Sequence, residues 1–256
     1  MNKITKAFEN GKALIAFITG GDPDIETTEK LILAMAEAGA DIIEIGIPFS
    51  DPVAEGAVIQ EADKRALDSG CTADKLFDMA ARVRARTDIP LLFMTYANPV
   101  YSYGKERFMS KCRECGIDGV IIPDVPFEEK QEFEQECKNN NICLISLIAP
   151  TSGERAEKIA CEAAGFIYCV SSLGVTGVRN NISTDIGGLI KKARSVSSVP
   201  CAVGFGISSP EQAREMAAIS DGVIIGSAIV KIIAEFGRES EAPVADFIRK
   251  LKSAIS

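Results

Sequence analysis

At 256 residues, 46% of them hydrophobic, the chain can bury one large α/β core or two small ones. A net charge of −8 argues against nucleic acid or an anionic membrane surface as partner, since neither rewards an acidic protein. There is no histidine, so a general acid or base must be sought among carboxylates, Tyr, Lys or Cys.

The opening residues, Met1-Asn-Lys-Ile-Thr-Lys-Ala-Phe-Glu9, lack the apolar core of a signal peptide. No apolar run approaches the ~18 residues that would span a bilayer. The expectation is a cytoplasmic protein. The 8 cysteines read as small core residues in so aliphatic a chain, with Cys143, Cys169 and Cys201 inside strand patterns. Cys112 and Cys115 form a lone Cys-x-x-Cys with no second pair, which predicts two thiols on one helix and no metal site.

From there short, nearly continuous apolar runs alternate with amphipathic ones. The runs at 13–19, 40–46, 90–96, 118–124, 143–149, 165–172, 200–206 and 221–226 read as strands covered on both faces. Helical patterns lie between them at 25–38, 72–86, 105–115, 127–139, 153–163, 184–196 and 210–218, and a last one at 244–255 closes the chain. Strand–helix alternation of this kind over about 250 residues predicts a single (β/α)8 TIM barrel spanning residues 1–256. A doubly wound open sheet is the competitor, but no Gly-x-Gly-x-x-Gly follows the first strand and no composition break divides the chain. Extra helices are expected after strands 2 and 8: one at 57–67, the other a short segment beginning near Ser227. The long 47–69 and 173–183 connections leave C-terminal strand ends, where barrel enzymes place their sites.

Three segments carry chemistry. Glu44-Ile-Gly-Ile-Pro-Phe-Ser-Asp-Pro-Val-Ala-Glu-Gly56 passes from a strand into a loop stiffened by Pro48 and Pro52 and holds three acids, Glu44, Asp51 and Glu55. Alternation turns Ile43 and Ile45 toward the helices and Glu44 into the barrel mouth, where desolvation would raise its pKa. A catalytic acid and a structural glutamate paired with a buried donor are both compatible with that position. Gly204-Phe-Gly-Ile-Ser208 and Gly226-Ser227 each end a strand and open a helix. Their glycines let the backbone approach a ligand and helix starts present free N–H groups to an anion, so Gly206, Gly226 and Ser227 form a candidate phosphate cradle. Gly174-Val-Thr-Gly177 follows Tyr168 and the sixth strand. There Gly177 could add amides to the phosphate and Thr176 could bond a carboxylate as a loop closes; an ordinary loop is the alternative.

Together with Phe17-Ile-Thr-Gly-Gly-Asp-Pro23, Ala38-Gly-Ala-Asp41, Tyr96-Ala-Asn98, Asp124-Val-Pro126 and Gly226-Ser-Ala-Ile-Val-Lys231, these segments resemble the tryptophan synthase α-subunit family over essentially the whole chain. The resemblance implies a lyase that performs retro-aldol cleavage of indole-3-glycerol phosphate to indole and glyceraldehyde 3-phosphate, with no metal or organic cofactor in this chain. It implies Glu44 and Glu55 as catalytic carboxylates and Gly177, Gly206, Gly226 and Ser227 as the phosphate site. Phe17, Tyr168 and Ile224 would line the indole pocket, and Asp51 and Thr176 would couple loop closure to a partner. That partner would be the pyridoxal-phosphate β subunit in an α2β2 complex. The chain departs from the family at Glu55-Gly56-Ala57, where the usual run is Asp-Gly-Pro. The extra methylene moves the carboxylate by about 1.5 Å, and a proline-free junction has a looser φ. A second reading therefore has the chain bind ligand and activate the β subunit with little turnover of its own. A third is a barrel enzyme acting on another phosphorylated ligand.

Overall fold

The computed structural model describes residues 2–170, 186–204 and 206–256. Nine strands order the described residues: β1 (Ala13–Thr19), β2 (Ile42–Gly46), β3 (Leu91–Met94), β4 (Gly119–Ile121), β5 (Cys143–Leu144), β6 (Ser146–Ile148), β7 (Ile167–Val170), β8 (Cys201–Gly204) and β9 (Gly222–Ile225). They pair in parallel in the order β5-β4-β3-β2-β1-β9-β8-β7-β6. The two ends of that order, β5 and β6, are halves of one expected strand, 143–149. Ile145 separates them, and its N–H still donates to the Val120 carbonyl at 2.9 Å. The ring is thus a nearly closed eight-stranded barrel whose fifth strand is broken once, pairing with β4 before Ile145 and with β7 after it.

Twelve helices surround the ring among the described residues: α1 (Lys3–Lys6), α2 (Ile25–Glu37), α3 (Ala57–Asp68), α4 (Ala73–Arg84), α5 (Ala97–Tyr103), α6 (Lys105–Cys115), α7 (Gln131–Asn139), α8 (Arg155–Cys161), α9 (Ile186–Val196), α10 (Pro210–Ile219), α11 (Ser227–Phe236) and α12 (Glu241–Ile255). Local chemistry starts several of them. The Asp24 carboxylate accepts the Thr27 N–H, Thr72 caps α4, and Ser209 caps α10 with Pro210 at its first position. Helices α3 and α11 are the expected additions after the second and last barrel strands. Two helices were not expected. The first, α5, has seven residues, and its first N–H is held by the Asp124 carboxylate from far along the chain. The second, α1, is a single turn capped by Asn2 that buries Ile4.

Strand alternation sorts the core into two layers. Leu14, Ala16, Ile18, Ile43, Ile45, Leu91 and Phe93 pack against the helices. Ile15, Ile42, Leu92, Ile121, Tyr168, Ala202 and Ile224 fill the barrel, with Ile4 and Phe8 packed into the same cluster from the N-terminal segment. Burial on both faces explains why the strands read as unbroken apolar runs. All eight cysteines are free thiols. No helix among the described residues is long and apolar enough to cross a membrane.

Candidate active site

A cavity of about 350 Å³ opens at the C-terminal ends of the strands. Phe17 from β1, Glu44 from β2, Tyr168 from β7 and Ile224 from β9 form its floor and sides, and Glu55, Gly206, Gly226 and Ser227 line it from the loops. Eight of the residues expected from the sequence therefore converge on one space. Gly177 and Thr176 lie outside the described residues. Asp51 does not reach the cavity: it is exposed at the loop surface, where its carboxylate accepts the Ser50 hydroxyl at 2.6 Å.

Glu44 is 1% exposed, and its Oε2 has no hydrogen-bond partner. It stands opposite Phe17 in the β1–β2 register and opposite Leu92 in the β2–β3 register, so apolar groups flank it on both sides. Burial, reinforced by the charge of Glu55, pushes its carboxyl up to about 8. At neutral pH it is therefore largely a neutral acid, able to give a proton and take one back. Tyr168 is held protonated by burial and by the neighbouring charge of Glu44.

Glu55 is supported by a group that the sequence reading passed over. Asp63, in α3, is 4% exposed, is hydrogen-bonded to the Glu55 carboxyl, and accepts the Phe49 backbone N–H. Burial raises both carboxyls; the charge of Glu55 adds to the rise at Asp63, which reaches about 9. The Tyr96 hydroxyl is also bonded to the Glu55 side chain, opposing the rise there, and accepts the Ala54 N–H at 3.0 Å. Asp63 had a legible signal: it sits with Ile59, Ala62 and Ala66 on the buried stripe of α3, where an acid is out of place. Tyr96, Ile59, Met94 and Lys231 also line the cavity without having been expected there.

Glycine backbone and a helix start meet in another part of the lining. Gly206 has φ +82°, a left-handed backbone that suits glycine. Gly226 precedes α11 without any side-chain cap for the helix's first N–H groups, and Gly226, Ser227 and Ala228 all line the cavity. An added Cβ at Gly226 would come 3.1 Å from Phe17 Cδ1, so this part and the aromatic wall are in direct contact. Among the described residues no group of three or more His, Cys, Asp or Glu could hold a metal ion.

Known proteins place this architecture. A family model described as tryptophan synthase alpha chain matches residues 4–255. The tryptophan synthase alpha chain of Lactiplantibacillus plantarum is 48% identical over 256 residues, covering 100% of this chain and 97% of the relative. That of Alkaliphilus metalliredigens is 49% identical over 243 residues, 94% and 91% of the two chains. The solved tryptophan synthase subunit alpha from Legionella pneumophila superposes with a TM-score of 0.90 at 33% identity, covering 100% of this chain and 98% of that one. A Pyrococcus furiosus structure, described as concerning mutual activation of the tryptophan synthase α2β2 complex, gives a TM-score of 0.87 at 36% identity, over 95% and 99% of the chains. With a match that runs nearly from end to end in both sequence and fold, this chain belongs to the tryptophan synthase alpha chain family.

Proposed function

We propose that this chain is a carbon–carbon lyase that splits indole-3-glycerol phosphate into indole and glyceraldehyde 3-phosphate. The observation that carries the reading is the Glu44 carboxyl, buried without a partner on Oε2 on the wall of a largely apolar cavity and still holding its proton near neutral pH. In the proposed reaction Glu44 gives that proton to indole C3, which turns the ring into an electron sink. The glycerol hydroxyl next to the ring then loses its proton, its oxygen forms the aldehyde, and the carbon–carbon bond electrons return to the indole. The Glu44 carboxylate left by the first transfer is the base for the second, so the proton count closes.

Glu55, at the rim of the same cavity, supplies negative charge where indole N1 becomes positive. The indole ring is assigned to the space between Phe17, Tyr168 and Ile224. The phosphate goes to Gly206, Gly226 and Ser227, where glycine backbone and a helix start suit a dianion. Thr176 and Gly177 are assigned to loop closure and phosphate binding by the family pattern alone. A pyridoxal-phosphate β subunit, in an α2β2 assembly, is the proposed partner and consumer of indole. Asp51 and Val53, the latter 74% exposed on the loop that also carries Glu55, suit a contact that couples the subunits.

The test is indole release from indole-3-glycerol phosphate by the full chain with its cognate β subunit, comparing wild type with Glu44→Gln. A fall in kcat of about 10²-fold or more is expected on losing a general acid–base. Equal rates would remove Glu44 from the mechanism, and no indole from the wild type would refute the lyase reading.

A further inference from the structure

The proposed mechanism uses Glu44 and Glu55 but leaves a third buried acid without a task. Asp63 lies at the bottom of the Glu55 loop, on the first turns of α3. Its carboxyl makes two attachments, one to the Phe49 backbone N–H and one to the Glu55 carboxyl. Phe49 and Glu55 lie on either side of Asp51 and Pro52, so one side chain pins both limbs of the loop. Two further ties act on the same stretch: Ala54 N–H to the Tyr96 hydroxyl at 3.0 Å, and the Gln60 amide to the Glu55 carbonyl at 2.8 Å. The backbone around Glu55 is fixed by these, while the reach of its longer side chain is limited by Asp63 and Tyr96.

Two carboxyls hydrogen-bonded to each other need one proton between them, because a carboxylate only accepts. The surroundings favour keeping that proton. From the loop after β1, Asp22 adds a negative charge toward Asp63; of the two cations on the same helix, Arg65 is committed to Asp22 and Lys64 is exposed. Glu44 on β2, Tyr96 after β3 and Cys71 after α3 interact electrostatically with the pair, and burial raises all three. None of these three supplies positive charge; Lys231 of α11 is a cation in the lining of the same cavity as Glu55.

We propose that Asp63 is a positioning residue for the lyase reaction: as a neutral carboxylic acid it donates its O–H to the Glu55 carboxylate and aims that charge into the cavity. This inference rests on the lyase reading given above. Asp63 touches no reacting atom. The pair carries one negative charge, the charge that a developing cation at indole N1 requires, and the shared proton prevents a second carboxylate from pushing Glu55 away. The position after β2 that carries Glu in place of the family's usual Asp is in this way held from behind by an acid on α3.

The experiment compares wild type, Asp63→Ala and Asp63→Asn as full chains with the β subunit, reading kcat and KM for indole release across pH 6–10. Asp63→Ala is expected to lower kcat about 10- to 100-fold with KM changed by less than about threefold, as for a misaimed group. Asp63→Asn keeps an N–H donor toward Glu55 and an oxygen for the Phe49 amide. It should recover to within about fivefold of wild type at pH 7 and keep the alkaline fall that Glu44 sets near pH 8, while lacking the second, steeper step near pH 9 expected of wild type when Asp63 loses its proton. Wild-type kcat in Asp63→Ala, or a second alkaline step near pH 9 that persists in Asp63→Asn, would overturn the proposal. If Asp63→Ala fails to fold, the Asp63→Asn profile decides alone. A readout independent of turnover separates this inference from the lyase reading. In a Glu44→Gln background, the infrared carbonyl band of a neutral carboxylic acid at pH 7 should vanish on adding Asp63→Asn. Persistence of the band refutes the shared proton, whatever the enzyme does.

Discussion

Phe17 lies across Gly46: a Cβ at Gly46 would sit 2.8 Å from Phe17 Cζ and 3.0 Å from Cε2. The last residue of β2, two positions beyond Glu44, must therefore be without a side chain for the aromatic wall of the cavity to stand where it does. Gly46→Ala should push the Phe17 ring into the space assigned to indole. A displacement of about 1 Å predicts a loss of about 10²-fold in kcat/KM, read by steady-state indole release. Wild-type kinetics in this variant would show that the ring has room to move aside.

The raised carboxyls predict how stability varies with pH. Glu44 titrates near 8 in the fold and, as an ordinary glutamate, near 4.5 when unfolded; Asp63 moves likewise from 3.8 to about 9. Between those values the native state holds protons that the unfolded chain has released, so the slope of unfolding free energy with pH is negative. Their contribution is complete below about pH 4 and is lost as pH rises through 8 to 9. The loss is on the order of a few kcal/mol. Urea unfolding at pH 5, 7 and 9 should show this decline in wild type and a flatter dependence in Glu44→Gln. Parallel curves would contradict the assignment.

Arg65 and Asp22 form a two-pronged ion pair, Nε to Oδ1 and Nη2 to Oδ2, both 2.8 Å. Asp22 is almost wholly buried while Arg65 is a third exposed. Arg65→Ala leaves the carboxylate without its cation, at a cost of about 3 kcal/mol, the low end of the range for broken buried pairs because one partner meets water. Arg65→Ala/Asp22→Asn should recover part of it. Urea midpoints of the two variants provide the check; an additive double mutant would rule out coupling.

Ile4 closes the far end of the barrel. It is fully buried, and its side chain packs with Cys143 around Gly119 and Gly165: a Cβ at the first would lie 3.1 Å from Ile4 Cδ1 and at the second 3.3 Å from Ile4 Cγ2, with Cys143 nearer still at 2.8 Å in both cases. Ile4→Ala should open a cavity there at a cost of about 3 kcal/mol, measured by urea unfolding. Because α1 is at the opposite end from the cavity that holds Glu44, indole release at 25 °C should stay within about twofold of wild type.

Much of the site was legible because its signals are local. The inward direction of Glu44 follows from strand parity and from a run apolar enough to be buried on both faces. The helix starts at Gly226-Ser227 and Ser209-Pro210 are written in adjacent residues. Asp63 was legible in principle, as an acid on an apolar helical stripe, and went unread because nothing along the chain says which group it meets. The helix α5 was missed because its capping carboxylate, Asp124, arrives from the end of the next strand. The uninterrupted strand expected at 143–149 failed for a similar reason: each half obeys a different neighbour.

The sequence by itself determined the alternation of buried strands and amphipathic helices, the side of β2 on which Glu44 faces, and the glycine-marked helix start at Gly226-Ser227. These depend on parity, hydrophobic period and the conformational range of glycine, all properties of short segments. The tertiary structure alone decided that the barrel closes through a strand broken at Ile145, that Arg65 answers Asp22, and that Asp63 stands behind Glu55. Such pairings exist only once a loop has reversed and a helix has docked, because hydrogen bonds and ion pairs act over a few ångströms in space and leave no trace in sequence order.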